Sequence, residues 1–332
     1  MAEVTHPIIV LGSSAGGWEA LPVVLENLQA YLPASVFVIQ HLSSDGVGTA
    51  FLNHLSANSV LPCAFAIDNE PILPGRVYLA PPDYHLLLTH DRIRITKGPR
   101  ENGFRPSIDT AFRSAAANFN SGVIGAILSG MRDDGVEGLV AIARSGGITM
   151  VQDPLNAPFP DMPQAALNQV EVDYVTRTVE MGLVLSGLIY QPSKTPGAVP
   201  KDILNEANIA ERVLTSIDAI EQMATASPYT CPSCGGVLWD INHNDRVHSY
   251  RCNSGHAFSQ ETLLQLKSSE VEETIWAALR LMEEQKRMLE KFPLLLEGAS
   301  FTAKRLSENQ RYINTLRALL LNNGIESKPK QY

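Results

Sequence analysis

The chain contains no run of apolar residues approaching the roughly 18 that a membrane-spanning helix requires, and no cluster of lysines and arginines. The first absence argues against membrane insertion. The second, together with a formal net charge of -9, argues against non-specific nucleic-acid binding, which needs grouped cations to displace counterions. The opening Met1-Ala2-Glu3-Val4-Thr5-His6-Pro7 lacks the basic region of a signal peptide. Cysteine is scarce, 4 residues in 332, and three of the four crowd between positions 231 and 252, which suits a metal site better than a disulfide framework. The expected address is the cytoplasm.

What is present is ordinary for a globular chain: 45% hydrophobic and 18% charged residues. The most informative stretch is Ile8-Ile9-Val10-Leu11-Gly12-Ser13-Ser14-Ala15-Gly16-Gly17. Four apolar residues running into small ones, followed by helix formers, read as a buried strand, a sharp turn and a helix. Gly12-Ser13-Ser14-Ala15-Gly16 fits the Gly-x-Ser-x-Gly elbow that exposes a nucleophilic serine. A phosphate-cradling loop or a plain turn fits it as well.

Strand-and-helix alternation continues down the chain. Ser35–Gln40 reads as a buried strand ending at His41, and residues 60–98 carry short strands separated by proline and glycine turns. Ser107 is placed to cap a helix. Gly122–Gly130 is the most apolar strand, followed by Met131-Arg132-Asp133-Asp134-Gly135 and another helix. Such repeats, each strand a continuous apolar run, predict an α/β fold with a doubly wound, mostly parallel sheet. Its boundary is set near residue 190, before a proline-rich linker.

Ser14, His41 and Asp134 each follow a predicted strand, so all three fall on the carboxyl rim of one sheet. A serine needs a base to remove its proton and a third group to orient that base. A dinucleotide-binding oxidoreductase would instead place an acid about 20 residues beyond the Gly-rich turn, where the second strand ends in His41.

Together with Pro81-Pro82-Asp83-Tyr84-His85-Leu86 and Arg105-Pro106-Ser107-Ile108-Asp109, these blocks resemble, over roughly residues 6–190, the catalytic domain of the CheB family of chemotaxis receptor methylesterases. The resemblance implies Ser14 as nucleophile, His41 as base and Asp134 as its orienting acid. It points to the Met131 backbone amide for the oxyanion, with Ala15 as a further candidate. The implied reaction is hydrolysis of glutamate γ-methyl esters on a methyl-accepting chemoreceptor, with glutamine deamidation by the same chemistry. Arg105 and Arg132 are the candidate cations for such an acidic substrate. The block around Ser14 departs from the family's Gly-Ala-Ser-Thr-Gly-Gly at Ser13 and Ala15. The family's usual amino-terminal receiver is not in this sequence, and the expectation is constitutive activity. The rival reading is a non-catalytic signalling scaffold on a degenerate esterase domain, which turnover of a simple methyl ester would exclude.

Cys231-Pro232-Ser233-Cys234 and Cys252-Asn253-Ser254-Gly255-His256 supply three thiolates and an imidazole, a closed tetrahedral set for one structural zinc. His243 and His248 fall between the knuckles. Catalysis itself needs no cofactor. The expected divisions are 1–190 for the esterase domain, 191–226 for linker and helix, 227–258 for a zinc ribbon and 259–332 for a helical hairpin. Val271, Ile275, Ala278, Met282, Leu289 and Phe292 define the hairpin's apolar stripe, interrupted at Gln285. Self-packing and oligomerisation through this arm are both open. Because the linker suggests no fixed docking geometry for the tail, metal loss is expected to leave ester chemistry intact.

Overall fold

The computed structural model of the chain describes residues 4–42, 46–191, 199–212, 224–244, 247–291 and 298–322. They divide into two compact units, Met1–Leu263 and Leu264–Tyr332. The first unit is built on β1 (Ile8–Ser13), β2 (Ser35–Gln40), β3 (Cys63–Phe65), β4 (Arg76–Leu79), β7 (Val123–Ile127), β8 (Ile148–Gln152) and β9 (Tyr174–Thr176). These pair in the order β3-β4-β2-β1-β7-β8-β9, every pair parallel. Between β4 and β7 in sequence, β5 (His85–Leu88) and β6 (Ile93–Thr96) form a separate antiparallel hairpin.

The apolar runs follow from coverage on both faces, since the pleat sends successive side chains to opposite sides. Ile8 and Val10 enter a core with Phe112, Leu139 and Ile142, whereas Ile9 and Leu11 enter another with Leu21, Val24 and Leu25. Helices α3 (Ile108–Phe119), α4 (Val136–Arg144), α5 (Asp161–Gln169) and α7 (Lys201–Arg212) pack into the first core. Helices α1 (Gly17–Glu26), α2 (Val47–Asn58) and α6 (Thr178–Leu188) pack into the second. The chain winds outward from β1 through β2 to β4, then returns to the other side of β1 at β7. The loops leaving β1 and β7 meet at the carboxyl ends of the strands, where the Ser14 N–H donates to the Ser129 carbonyl at 3.0 Å; this is the rim on which doubly wound sheets place their sites.

The cysteine-bearing segment is a four-stranded antiparallel ribbon of β10 (Thr225–Thr230), β11 (Val237–Asn244), β12 (Val247–Cys252) and β13 (Ala257–Ser259). It falls within the first unit. The linker's composition led to the opposite expectation, and the reason for the difference is a buried ion cluster. Glu101 pairs with Arg113 of α3 and with Arg251 of β12, the latter at 2.9 Å, and Glu206 of α7 lies 3.4 Å from Arg113. All four are buried, and a buried charge persists only with its partners in place. Residues 192–198 of the linker, and 213–223 of the helix expected from Asp202 to about Ala224, lie outside the described residues.

Helix α8 (Gln260–Lys291) begins in the first unit, and from Leu264 onward it belongs to the second, where it pairs antiparallel with α9 (Gly298–Asn322) through Gln285–Asn309, Lys286–Gln310 and Glu283–Arg317 contacts, each 2.7 Å. The gap that Gln285 leaves in the apolar stripe is thus matched by a buried Asn309. Val271, expected on the stripe, is exposed; Phe292 and Pro293 lie outside the described residues. Among the described residues no helix is long and apolar enough to cross a membrane.

Candidate active site

Parallel register brings the first two residues together. Ser13 of β1 pairs with Gln40 of β2, so Ser14 and His41 leave adjacent strands at the same level. Gln40 then ties the two turns, its amide donating to the Ser14 carbonyl at 2.7 Å and to the His41 carbonyl at 3.1 Å. The elbow is tight: a Cβ on Gly17 would lie 2.0 Å from Gln40 Oε1, and Gly16 has φ +81°, a conformation glycine adopts without strain. Ser13 is fully buried and its hydroxyl faces the Ser129 carbonyl. Ser14 is partly exposed, and its hydroxyl lies 3.0 Å from His41 Nδ1.

His41 Nε2 lies 2.8 Å from Asp134 Oδ2. A carboxylate only accepts, so Nε2 carries the proton and Nδ1 is left to accept from Ser14. Phe104 stacks on the imidazole, ring centroids 3.7 Å apart and planes 7° from parallel. The ring has one hydrogen bond on each nitrogen and an aromatic face against it, which fixes its plane.

Asp134 is fully buried, and burial by itself disfavours its charge. Hydrogen bonds outweigh that cost, and its pKa is held below the usual carboxylate value, with His41, Asn102 and the Ile108 amide among the causes. The Ile108 N–H donates to Oδ2 at 2.7 Å, while Ser107 Oγ and Asn102 Nδ2 donate to Oδ1, each at 3.0 Å. Ser107 also caps α3, accepting from Thr110 N. The same Asn102 amide donates to Asp109 at 2.8 Å. Burial and the neighbouring carboxylates Asp134 and Glu137 push the Asp109 pKa upward, opposite to the direction at Asp134.

Sequence reasoning missed Asn102 and His85. Glu101-Asn102-Gly103-Phe104 closes on itself through two backbone hydrogen bonds, with φ of 52° and 82° at Asn102 and Gly103, a type I′ turn whose Asn-Gly signature was legible. His85 is buried, which lowers its pKa. Its Nε2 donates to the Pro99 carbonyl at 2.9 Å, and Nδ1 accepts from Ser107 N at 3.3 Å.

The CheB methylesterase family model matches residues 9–185. The chain belongs to the CheB methylesterase family. A protein-glutamate methylesterase/protein-glutamine glutaminase of Xanthomonas oryzae is 42% identical over 191 residues, covering 55% of this chain and 53% of its own. A Leptospira interrogans protein provisionally named for the same two activities is 38% identical over 175 residues, 52% of this chain and 89% of its own. The crystal structure of the Thermotoga maritima CheB methylesterase catalytic domain aligns with TM-score 0.54 and 31% identity, covering 56% of this chain and all of that one. The chain spans about half the length of the first of these curated relatives.

The remaining predicted residues of this CheB-family rim separate. Met131 is 52% exposed and follows Gly130, whose Cβ position would be 3.0 Å from Ser14 Cβ. Among the described residues, neither the Met131 nor the Ala15 amide is consumed by the fold's own hydrogen bonds. Arg132 is partly exposed with φ +66° and has no ion pair among the described residues. Arg105, expected as a cation for the substrate, is paired within the fold. Its guanidinium is engaged by Asp83 at 2.7 Å and by the Gly98 carbonyl at 2.7 Å, which makes it a brace of the Pro81–Asp83 loop.

Beyond the segment matched by the family model, the ligand atoms of Cys231, Cys234, Cys252 and His256 all lie within 4.8 Å of one another. Cys234 Sγ is 3.7 Å from Cys252 Sγ, and Cys252 Sγ is 3.5 Å from His256 Nδ1. Two thiolates on one tetrahedral zinc sit ~3.8 Å apart, so the spacing fits. Hydrogen bonding between Cys231 and Cys252 raises the pKa of the first thiol and lowers that of the second. Within the ribbon, His248 instead pairs with Asp240 at 2.9 Å; the His243 side chain lies outside the described residues.

Proposed function

We propose that this chain hydrolyses γ-methyl esters of glutamyl side chains on a chemoreceptor, through an acyl-enzyme on Ser14. The observation that supports this most directly is the continuous line from Ser14 Oγ through the His41 ring to Asp134. Ser14 Oγ attacks the ester carbonyl carbon while His41 Nδ1 takes its proton, and Asp134 stabilises the imidazolium that forms. The tetrahedral oxyanion is held by the Met131 and Ala15 amides. As the carbon–oxygen bond breaks, His41 returns the proton to the departing methoxide, and methanol leaves. Water then attacks the acyl-Ser14 carbonyl, giving its proton to His41; collapse returns that proton to Ser14 and frees the glutamate. With a glutamine substrate the leaving group is ammonia, in keeping with the paired activities in the relatives' names.

Arg132, at the mouth of the site, is the candidate for steering an acidic helical substrate. Cys231, Cys234, Cys252 and His256 hold one structural zinc, which cross-links the two knuckles and supplies no reacting group. The activity is tested by incubating the full chain with methylated cytoplasmic fragments of chemoreceptors and measuring methanol. Catalytic release supports the reading; intact esters after prolonged incubation would favour a scaffold built on this fold.

A further inference from the structure

The family's catalytic machinery and the cysteine ribbon meet at two loops. We propose that the ribbon is a positioning element for the esterase site, clamping Asp134 from both sides so that ribbon order sets the rate of the chemical step. This rests on the proposed esterase activity for its kinetic consequence and on geometry alone for the clamp.

The first side is the Asn102–Gly103 turn. The Asn102 backbone N–H donates to the Ala257 carbonyl of β13 at 2.8 Å, and its side-chain Oδ1 accepts from the Ser259 amide at 2.8 Å. Glu101 forms a parallel bridge with Ala257. With its acceptor and backbone committed to the ribbon, Asn102 has its amide donors aimed at Asp134 and Asp109. Two residues on, the same turn presents Phe104 to the His41 ring. The turn therefore reads the ribbon on one edge and fixes two members of the catalytic line on the other.

The second side is the loop that carries Asp134 itself. Its neighbour Asp133 is buried and accepts from Thr262 Oγ1 in the first turn of α8 at 2.8 Å. Ser259 Oγ accepts from the Thr262 amide at 3.1 Å, so the cap that begins this helix is the last residue of β13. Below both contacts lies Arg251, buried, adjacent in sequence to Cys252 and bonded to Glu101 and to the Gly255 carbonyl. Cys252 and Gly255 belong to the second metal-ligand knuckle. The path from the four-ligand cluster to the turn thus runs through adjacent, buried and mutually bonded residues.

Two variants of the full chain test this, with far-UV circular dichroism to verify that the α/β unit stays folded. Cys231→Ser with Cys234→Ser removes half of the ligand cluster; Thr262→Val removes one hydroxyl contact with little change of volume. kcat and KM are measured on a small methyl ester, and amide hydrogen exchange is followed in residues 101–108 and 129–136. The cysteine pair is expected to deprotect both segments and lower kcat at least tenfold with KM changed less than twofold. Thr262→Val is expected to move kcat two- to fivefold in the same direction. Unchanged kcat and unchanged protection in both variants would overturn the proposal, as would a rise in kcat, which would make the ribbon a lid. If the cysteine pair fails to fold, Thr262→Val decides by the same criteria. If the unmodified chain turns over no ester, the activity reading falls, and the exchange result alone upholds or overturns the clamp.

Discussion

The two halves of the candidate site are built by different means. Ser14 and His41 take their places from backbone register: adjacent parallel strands deliver them side by side, and Gln40 bonds both turns. Asp134 sits in a loop well beyond the end of β7 and takes its place from side chains and amides at 102, 107 and 108. Sheet geometry is collective, anchored by the whole core, and tolerates the loss of a single partner. A buried carboxylate held by donors from separate segments does not, since each lost donor exposes an uncompensated charge to a poor solvent. The Ser–His half should resist perturbation at a distance, and the Asp half should transmit it.

The largest effect expected from the Asp half is that of Asp134→Asn. The substitution keeps the shape but makes the residue a donor opposite His41 Nε2–H, favouring the wrong tautomer. A loss of about 10⁴-fold in kcat is expected by analogy with serine hydrolases in which the same exchange has been made, read as methyl-ester turnover with the fold intact by circular dichroism. An effect below tenfold would mean that Asp134 does not orient the imidazole.

Arg251→Ala reaches the same half from the ribbon. Burial disfavours the Glu101 charge, but Arg113 and Arg251 hold its pKa far below the usual value; losing one of them should cost about 3–5 kcal/mol in denaturant unfolding. Arg94→Ala, which breaks an exposed pair with Asp68, is the control and should cost under ~1 kcal/mol. Equal costs would remove the distinction between the cluster and an ordinary surface pair.

A smaller effect is expected of His85. Burial lowers its folded pKa below the unfolded value of about 6.5, so its contribution to stability is fully present above the unfolded value and is lost progressively as the pH falls from there through the folded one. Protonation would also convert Nδ1, which accepts from Ser107 N, into a donor. Between pH 7 and 5 the unmodified chain should lose up to about 1.4 kcal/mol per pH unit more than His85→Gln, which keeps a donor and an acceptor but takes no proton. Identical pH slopes in urea unfolding would show that His85 does not couple the segment to pH.

The same contrast explains what was legible in the sequence. The run Ile8–Leu11 and the Gly-x-Ser-x-Gly turn announce a buried strand and an elbow because those signals are local. The strand before His41 and the apolar strand before Asp134 announce a common rim. The partners of Asp134 are hidden: Ser107 reads as a helix cap and no more, the Asn102-Gly103 pair signals a turn but not the carboxylate it serves, and Thr262 is an ordinary helix residue until tertiary packing brings it to Asp133. Arg105 looked like a free cation because its partner, Asp83, stands 22 residues earlier. The cysteine spacing was plain from sequence, but the ribbon's docking was not. It depends on Glu101, Arg113, Glu206 and Arg251, whose pairing leaves no local pattern.

The central claim, that the partly exposed hydroxyl of Ser14 is the nucleophile, is tested most directly by comparing Ser14→Ala with Ser13→Ala. The measurement is methanol release from a methylated receptor fragment at matched protein concentration. The account predicts that Ser14→Ala abolishes release while Ser13→Ala retains most of it, since the Ser13 hydroxyl is buried against the Ser129 carbonyl. Release that survives in Ser14→Ala and disappears in Ser13→Ala would contradict it.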